Sequence, residues 1–185
     1  MQTVFIAGSI SIVHLHEKVK KRIENVINSG IHVVVGDANG ADTSIQRILF
    51  ERGAKHVTVY CSGDEPRNNI ADWPVKNVYP DVLVGGRVYF TAKDVEMAHD
   101  SDFGLMVWDC KSTGTLSNVL ELLKEEKKSV VFVNKLKYFI NVSDTMSLAK
   151  LVDLMSAGAR ERAEEKIGLS KKIASISGKQ FSLAI

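Results

Sequence analysis

Short β-rich runs alternate with amphipathic helical stretches along most of this chain, and that alternation limits the fold more than any other feature. TVFIA (Thr3 to Ala7) is continuously apolar, as a strand covered on both faces of a parallel sheet must be. After it, Leu15, Val19, Ile23, Val26 and Ile27 recur at helical spacing, and Gly30 stops that helix. HVVV (His32 to Val35) reads as a second strand and VTVY (Val57 to Tyr60) as a third. Between them lies a helix carrying Ile45, Ile48 and Leu49 that ends near Gly53. GLMVW (Gly104 to Trp108) and SVVFV (Ser129 to Val133) are the fourth and fifth strands, separated by a helix over Leu116 to Glu126. YFINV adds a short sixth strand at an edge.

The pattern breaks between Cys61 and Arg87, where all three prolines (Pro66, Pro74 and Pro80) fall. A loop of that length in a compact domain is functional or poorly ordered. A helix resumes from Thr91 with Val95, Met97 and Ala98, and Ser143 caps a last helix carrying Leu148, Leu151, Val152 and Met155. Beyond Gly158 the chain is highly charged, and KKIASISGKQFSLAI shows no clear period, so this tail reads as an arm, a partner-binding segment or partial disorder. The expected architecture is a Rossmann-like open parallel sheet in the order 3-2-1-4-5, helices on both faces, and a C-terminal helical extension. Residues 1–142 form the Rossmann domain, and 143–185 a helix and charged tail packed on it or extending from it.

The composition is that of an ordinary globular domain, 45% hydrophobic and 25% charged. No apolar run reaches the roughly 20 residues of a membrane helix, and Met1 to Ala7 enters a strand without a basic flank. Two cysteines, Cys61 and Cys110, make no disulfide framework, so a cytoplasmic protein without membrane contact is expected. The formal charge of +2 gives no electrostatic footprint and counts against nucleic acid as a partner. Lys166, Lys171, Lys172 and Lys179 remain as a basic C-terminal arm. His14 and His16 lack further ligands at metal spacing, so no metal and no cofactor is expected, and both read as solvated residues at a helix start.

In open parallel sheets, ligands bind beyond the carboxyl ends of the strands. The first strand exits into Gly8 and Ser9, with Ser11 beyond, a small loop that lets backbone N–H groups approach a phosphate. The second exits into Gly36, Asp37, Asn39, Gly40, Ala41 and Asp42. Asp37 stands where an acidic group accepts from ribose hydroxyls or forms a turn, and Asp42 caps the next helix. The fourth exits into Asp109, Ser112, Thr113, Gly114 and Thr115, with hydroxyls and open backbone at a positive helix end. Arg67, from the long loop, supplies charge-assisted bonds to phosphate or pins the loop. Trp73 and Tyr89 stack on a base or belong to a core or oligomer interface.

GSISI after the first strand, GDANGAD after the second and KSTGT after the fourth together resemble the SLOG superfamily. That group includes the cytokinin-activating LOG phosphoribohydrolases, the DNA-uptake protein DprA and the YpsA-related proteins. The YpsA-related branch is the nearest in pattern, over roughly Thr3 to Val133. The resemblance implies a Rossmann-like domain, a homo-oligomer, that binds a nucleotide or nucleotide-derived ligand. LOG enzymes cleave the N-glycosidic bond of nucleoside 5′-monophosphates with an Arg-Lys helix motif followed by PGGxGTxxE. KDVEMAHDSD resembles the first part and puts Lys93 where that family has Arg; GTLSN resembles the second and puts Asn118 where it has Glu. Asn118 cannot ionise, and Lys93 lacks the bidentate fork of Arg. Three functions therefore stand beside each other: a nucleotide sensor or binding protein, an N-glycosidase in which Asp37 or Asp109 is the catalytic carboxylate, and a DprA-like nucleic-acid-binding module.

Overall fold

The computed structural model describes residues 1–82 and 84–182, with side chains described through 177. Strand β1 (Thr3–Gly8), helix α1 (Glu17–Asn28), β2 (His32–Gly36), α2 (Ala41–Glu51) and β3 (Val57–Ser62) form the first half. Then come β4 (Val75–Val78), α3 (Arg87–Asp100), β5 (Phe103–Trp108), α4 (Thr113–Lys124), β6 (Lys128–Val133) and β7 (Tyr138–Val142). Helices α5 (Thr145–Val152), α6 (Ala157–Ile167) and α7 (Leu169–Ser182) follow. The sheet has the order β4-β3-β2-β1-β5-β6-β7, parallel except for the antiparallel pair β6 and β7. The five strands expected from the sequence are β3-β2-β1-β5-β6, in the expected order, and YFINV is the edge strand β7.

Alternation along β1 divides the core. Val4 and Ile6 pack with Val19, Ile23, Ile45 and Leu49 of α1 and α2 on one face. Phe5 and Ala7 point to the other, with Met97 of α3 and Leu116 and Leu120 of α4. Helices following the strands to one side of β1 thus lie on one face, and those beside β5 on the other. Right-handed crossovers require this change of face when the strand order reverses. The reversal between β1 and β5 opens a crevice at their carboxyl ends.

Four local readings change, the first being that Asp42 lies within the first turn of α2 and does not cap it, since Gly40 stands at the N-cap with no side-chain cap. The segment 75–78 is a strand, hidden in sequence by Pro74 and mixed polarity. As an edge strand it tolerates both, and Pro74 still serves through its carbonyl, which accepts from Val59 N at 2.9 Å. Helix α3 starts at Arg87, not Thr91, because Gly86 begins it and the strand-like Val88, Tyr89 and Phe90 continue it. Asp144, not Ser143, caps α5, exchanging bonds with Ser147 in a capping box.

Through Ser182 the tail is helical. Ser156 caps α6, Gly168 closes it at φ 60°, and α7 follows directly. Leu169 and Ile176 of α7 join the α4 core, and Lys172 Nζ donates to Glu121 Oε1 at 2.6 Å. That engages one lysine of the supposed basic arm with α4; the side chain of Lys179 lies outside the described residues. No helix among the described residues is long and apolar enough to cross a membrane.

Ile176 is 3% exposed. Ile176→Ala is expected to lower the unfolding free energy by about 2–5 kcal/mol, measured by urea denaturation. An unchanged midpoint means that α7 does not pack on α4.

Candidate functional site

The crevice at the β1–β5 reversal is a cleft of about 290 Å³. Its floor is Ala7 and Gly8 from β1; one side is Ser112, Gly114, Thr115 and Asn118 at the start of α4. Ala38 and Asp42 come from the β2 loop, and Ile10 from the β1 loop. The facing wall is one stripe of α3: Arg87, Phe90, Thr91 and Asp94, with Lys93 below and Arg67 beside it. A shallower depression of about 490 Å³ is lined, among the described residues, only by Pro80, Asp81, Val82 and Val84.

Close backbone approach shapes the floor. A Cβ at Gly8 would stand 2.8 Å from both Ala41 Cβ and Val107 O, so α2 meets β1 only because residue 8 is glycine. Gly40 adopts φ +83°, and a Cβ there would collide with Ile10 O, which brings the β1 and β2 loops together. Gly114 is the opposite case: its Cβ would meet only Ser112 Oγ, at 3.8 Å. The first turn of α4 is therefore open to the cleft.

Hydroxyls and Asp109 build this end. Ser112 Oγ caps α4 by accepting from Thr115 N at 3.3 Å, and Thr115 Oγ1 donates to it at 3.1 Å. Ser9 Oγ lies 3.3 Å from Thr115 Oγ1 and accepts from Asp109 N at 3.1 Å. Asp109 accepts from the N–H groups of Lys111 and Ser112 at 2.8 and 2.7 Å and from Ser11 Oγ at 2.7 Å. Burial raises its pKa, but those bonds, Ser11 first, outweigh burial and hold it below the usual carboxylate range. Thr113 Oγ1 accepts from Arg87 Nη1 at 3.1 Å, which ties α3 to α4 across the mouth. Asn118 is 6% exposed and lines the cleft, and its side-chain amide makes no hydrogen bond among the described residues.

A buried charge cluster carries the other end. Lys93, 3% exposed, donates to Asp94 Oδ1 at 2.7 Å and lies 3.8 Å from Asp37 Oδ1. A Cβ on Gly36 would stand 2.5 Å from both Lys93 Nζ and Asp42 Oδ2, so this glycine makes room for the pair. Burial works against the Lys93 charge, yet Asp94, Asp42 and Asp37 outweigh it and raise its pKa. Burial pushes the Asp42 carboxyl up to about 6, against the pull of Lys93. Asp37 is clamped by Arg67, whose Nε and Nη2 donate at 3.0 and 2.6 Å and whose backbone N–H donates at 3.0 Å. Burial opposes the Asp37 charge, and the Arg67 bonds prevail, lowering its pKa.

Of the residues expected at a site, Gly8, Asp42, Arg67, Lys93, Ser112, Gly114, Thr115 and Asn118 line the cleft. Ser9, Ser11, Asp37, Gly40, Thr113 and Asp109 stand behind it, holding its loops. Asp94, Phe90 and Thr91 escaped notice, although their spacing from Arg87 was visible. Trp73 is buried, its indole N–H donating to Ala54 O at 3.3 Å. Tyr89 turns its hydroxyl towards Gly63. His16 caps α1 through Nδ1, which accepts from Lys18 N at 3.2 Å. Cys61 and Cys110 are buried free thiols with raised pKa, each chiefly through burial, which disfavours the reactive thiolate.

No protein-family model matches the chain, and no curated protein matches it in sequence. Among solved structures it is similar to DNA processing protein A from Helicobacter pylori, described for its single-stranded DNA binding mode. The TM-score is 0.54 at 17% identity, covering 89% of this chain and 79% of the other. The likeness establishes the Rossmann-like fold. It also corrects the exclusion of nucleic acid, because a chain of the same fold binds single-stranded DNA. Net charge sums the whole surface and does not report a cleft edged by Arg67 and Arg87.

Lys93→Met leaves the Asp42, Asp94 and Asp37 charges without their shared cation, at an expected cost of about 3–5 kcal/mol at neutral pH. Loss of the ammonium also raises the folded-state pKa of Asp42 further. The folded state then binds more protons than the unfolded state, so the variant's stability rises as pH falls from 7 towards the unfolded value near 4. Thermal unfolding across that range checks it; a variant as stable as wild type at pH 7 contradicts the cluster.

Proposed function

We propose that the protein binds the phosphate of a nucleotide unit in this cleft, as a SLOG-like binding or sensor protein of the YpsA-related branch. One observation carries the reading. The uncovered first turn of α4 faces a crevice that also holds Asn118, a nearly buried amide with no partner among the described residues. Free N–H groups at a positive helix end, with an uncommitted amide beside them, are acceptor-seeking groups. Arg87 and Arg67 add positive charge at the rim.

Binding without cleavage is favoured by where the carboxylates are committed. Asp37 is held by Arg67, and Asp109 by two backbone N–H groups and Ser11. Neither lines the cleft; the carboxylates that do, Asp42 and Asp94, share the charge of Lys93, and Asn118 stands where the resemblance to LOG enzymes would put their glutamate. The unit bound comes either from a free nucleotide or from a single strand, the latter favoured by the likeness to the DNA processing protein.

Calorimetry with AMP and with a short oligothymidylate tests both sources. Gly114→Asp places a carboxylate over the N–H groups and is expected to lower the affinity about tenfold or more, through charge repulsion and a blocked approach. Unchanged affinity moves the site elsewhere. A strand ligand loses affinity steeply with salt, with a log–log slope of about −0.7 per phosphate contacted, whereas a free nucleotide shows about one such contact.

A second measurement separates binder from enzyme. Chromatography of AMP, GMP, CMP and UMP incubated with the protein is expected to show no released base. Turnover that disappears on Asp37→Asn or Asp109→Asn overturns the binding reading.

A further inference from the structure

Phosphate recognition leaves one wall of the cleft unexplained. Arg87, Phe90, Thr91 and Asp94 recur at i, i+3, i+4 and i+7 on α3, about 10 Å of helix, and all four face the cleft. Phosphate has use for Arg87, but none for an aromatic ring. Phe90 is nevertheless 37% exposed there. Its edge is braced by Tyr89, with ring centroids 5.3 Å apart at 84°. The Arg67 guanidinium carbon lies 4.9 Å from the ring centroid.

Arg67 is itself immobilised. Asp37 holds Nε and Nη2, while Nη1 has no hydrogen-bond partner among the described residues. The result is a flat aromatic surface and a flat cation, both fixed before any ligand arrives, with spare donors on the cation. Groups already ordered cost little further entropy on binding. Such a pair suits a planar heterocycle that stacks on a π-face and offers ring nitrogen or carbonyl acceptors. Asp94 lies on the same stripe with Oδ1 taken by Lys93 and Oδ2 without a partner among the described residues, an acceptor for hydroxyl donors.

We propose that Phe90 and Arg67 form the nucleobase subsite of the cleft, with Asp94 accepting from the sugar hydroxyls between base and phosphate. The proposal rests on the phosphate reading and adds the group attached to the phosphate. It also fixes the selectivity. Stacking accepts any base, so the cleft discriminates strongly between nucleotides and phosphates that lack a ring, and weakly among bases.

Calorimetry with AMP and ribose 5-phosphate tests the subsite in the full chain. Wild type is expected to bind AMP about tenfold or more tightly over ribose 5-phosphate, within the usual range for one stacked base. Phe90→Ala should remove most of that preference while leaving ribose 5-phosphate affinity unchanged, and Phe90→Trp should keep it. Equal wild-type affinity for the two ligands overturns the base subsite and leaves the phosphate reading standing. No binding of either ligand overturns the subsite, and it overturns the phosphate reading too when the oligothymidylate also fails to bind. If Phe90→Ala weakens both ligands equally, or Phe90→Trp loses the preference, the ring merely supports the loop and the subsite is refuted.

Discussion

Between β1 and β5 the chain changes the face of the sheet on which its helices lie. The two β-strands stay paired, with Ile6 opposite Leu105 and Gly8 opposite Val107, while their outgoing chains diverge. Nothing can fill the gap between them from within a regular crossover. A crevice at this end of the sheet is thus a consequence of strand order, and the loops around it inherit their positions from the core beneath. Gly8 shows how closely they are set, since a methyl group there has no room between Ala41 and Val107. Ser9 then bonds sideways to Asp109 and faces Thr115, so the β1 and β5 exits act as one platform.

The second support is electrostatic. Three carboxylates, Asp37, Asp42 and Asp94, gather around Lys93, and Arg67 covers the outermost of them. The compact ammonium of Lys93 acts as a point charge shared by several carboxylates. The arrangement holds α3 against the ends of β1 and β2 and so sets the wall that faces α4. Asp42, pushed up to about 6 by burial, is the member nearest to giving up its charge.

Much of this was legible from local pattern. Continuous apolar runs at Val4 to Ala7 and Val33 to Val35 mark strands buried on both faces, and strand order follows from crossover handedness. Gly8, Ser112, Gly114 and Thr115 could be placed at the cleft because it lies where the strands exit. What could not be read was partnership across the chain. Asp37 looked like a free acceptor at a strand end, but its partner Arg67 lies 30 positions away in an irregular loop. Gly36 is required by Lys93 and Asp42, which no local window contains. In the tail, Leu169, Ile173 and Ile176 do recur at helical spacing; the intervening lysines and serines hid a period that packing on α4 makes plain.

The account's central claim is that the first turn of α4, facing the β1 exit, presents its free N–H groups to one phosphate. A titration of the ¹⁵N-labelled protein with AMP, followed by amide chemical shifts, tests it directly. The largest shifts are predicted at Gly8, Ser9, Ile10, Gly114 and Thr115, together with the side-chain amide of Asn118. Shifts confined to other surfaces, with these amides and the Asn118 side chain unmoved at saturation, would contradict it.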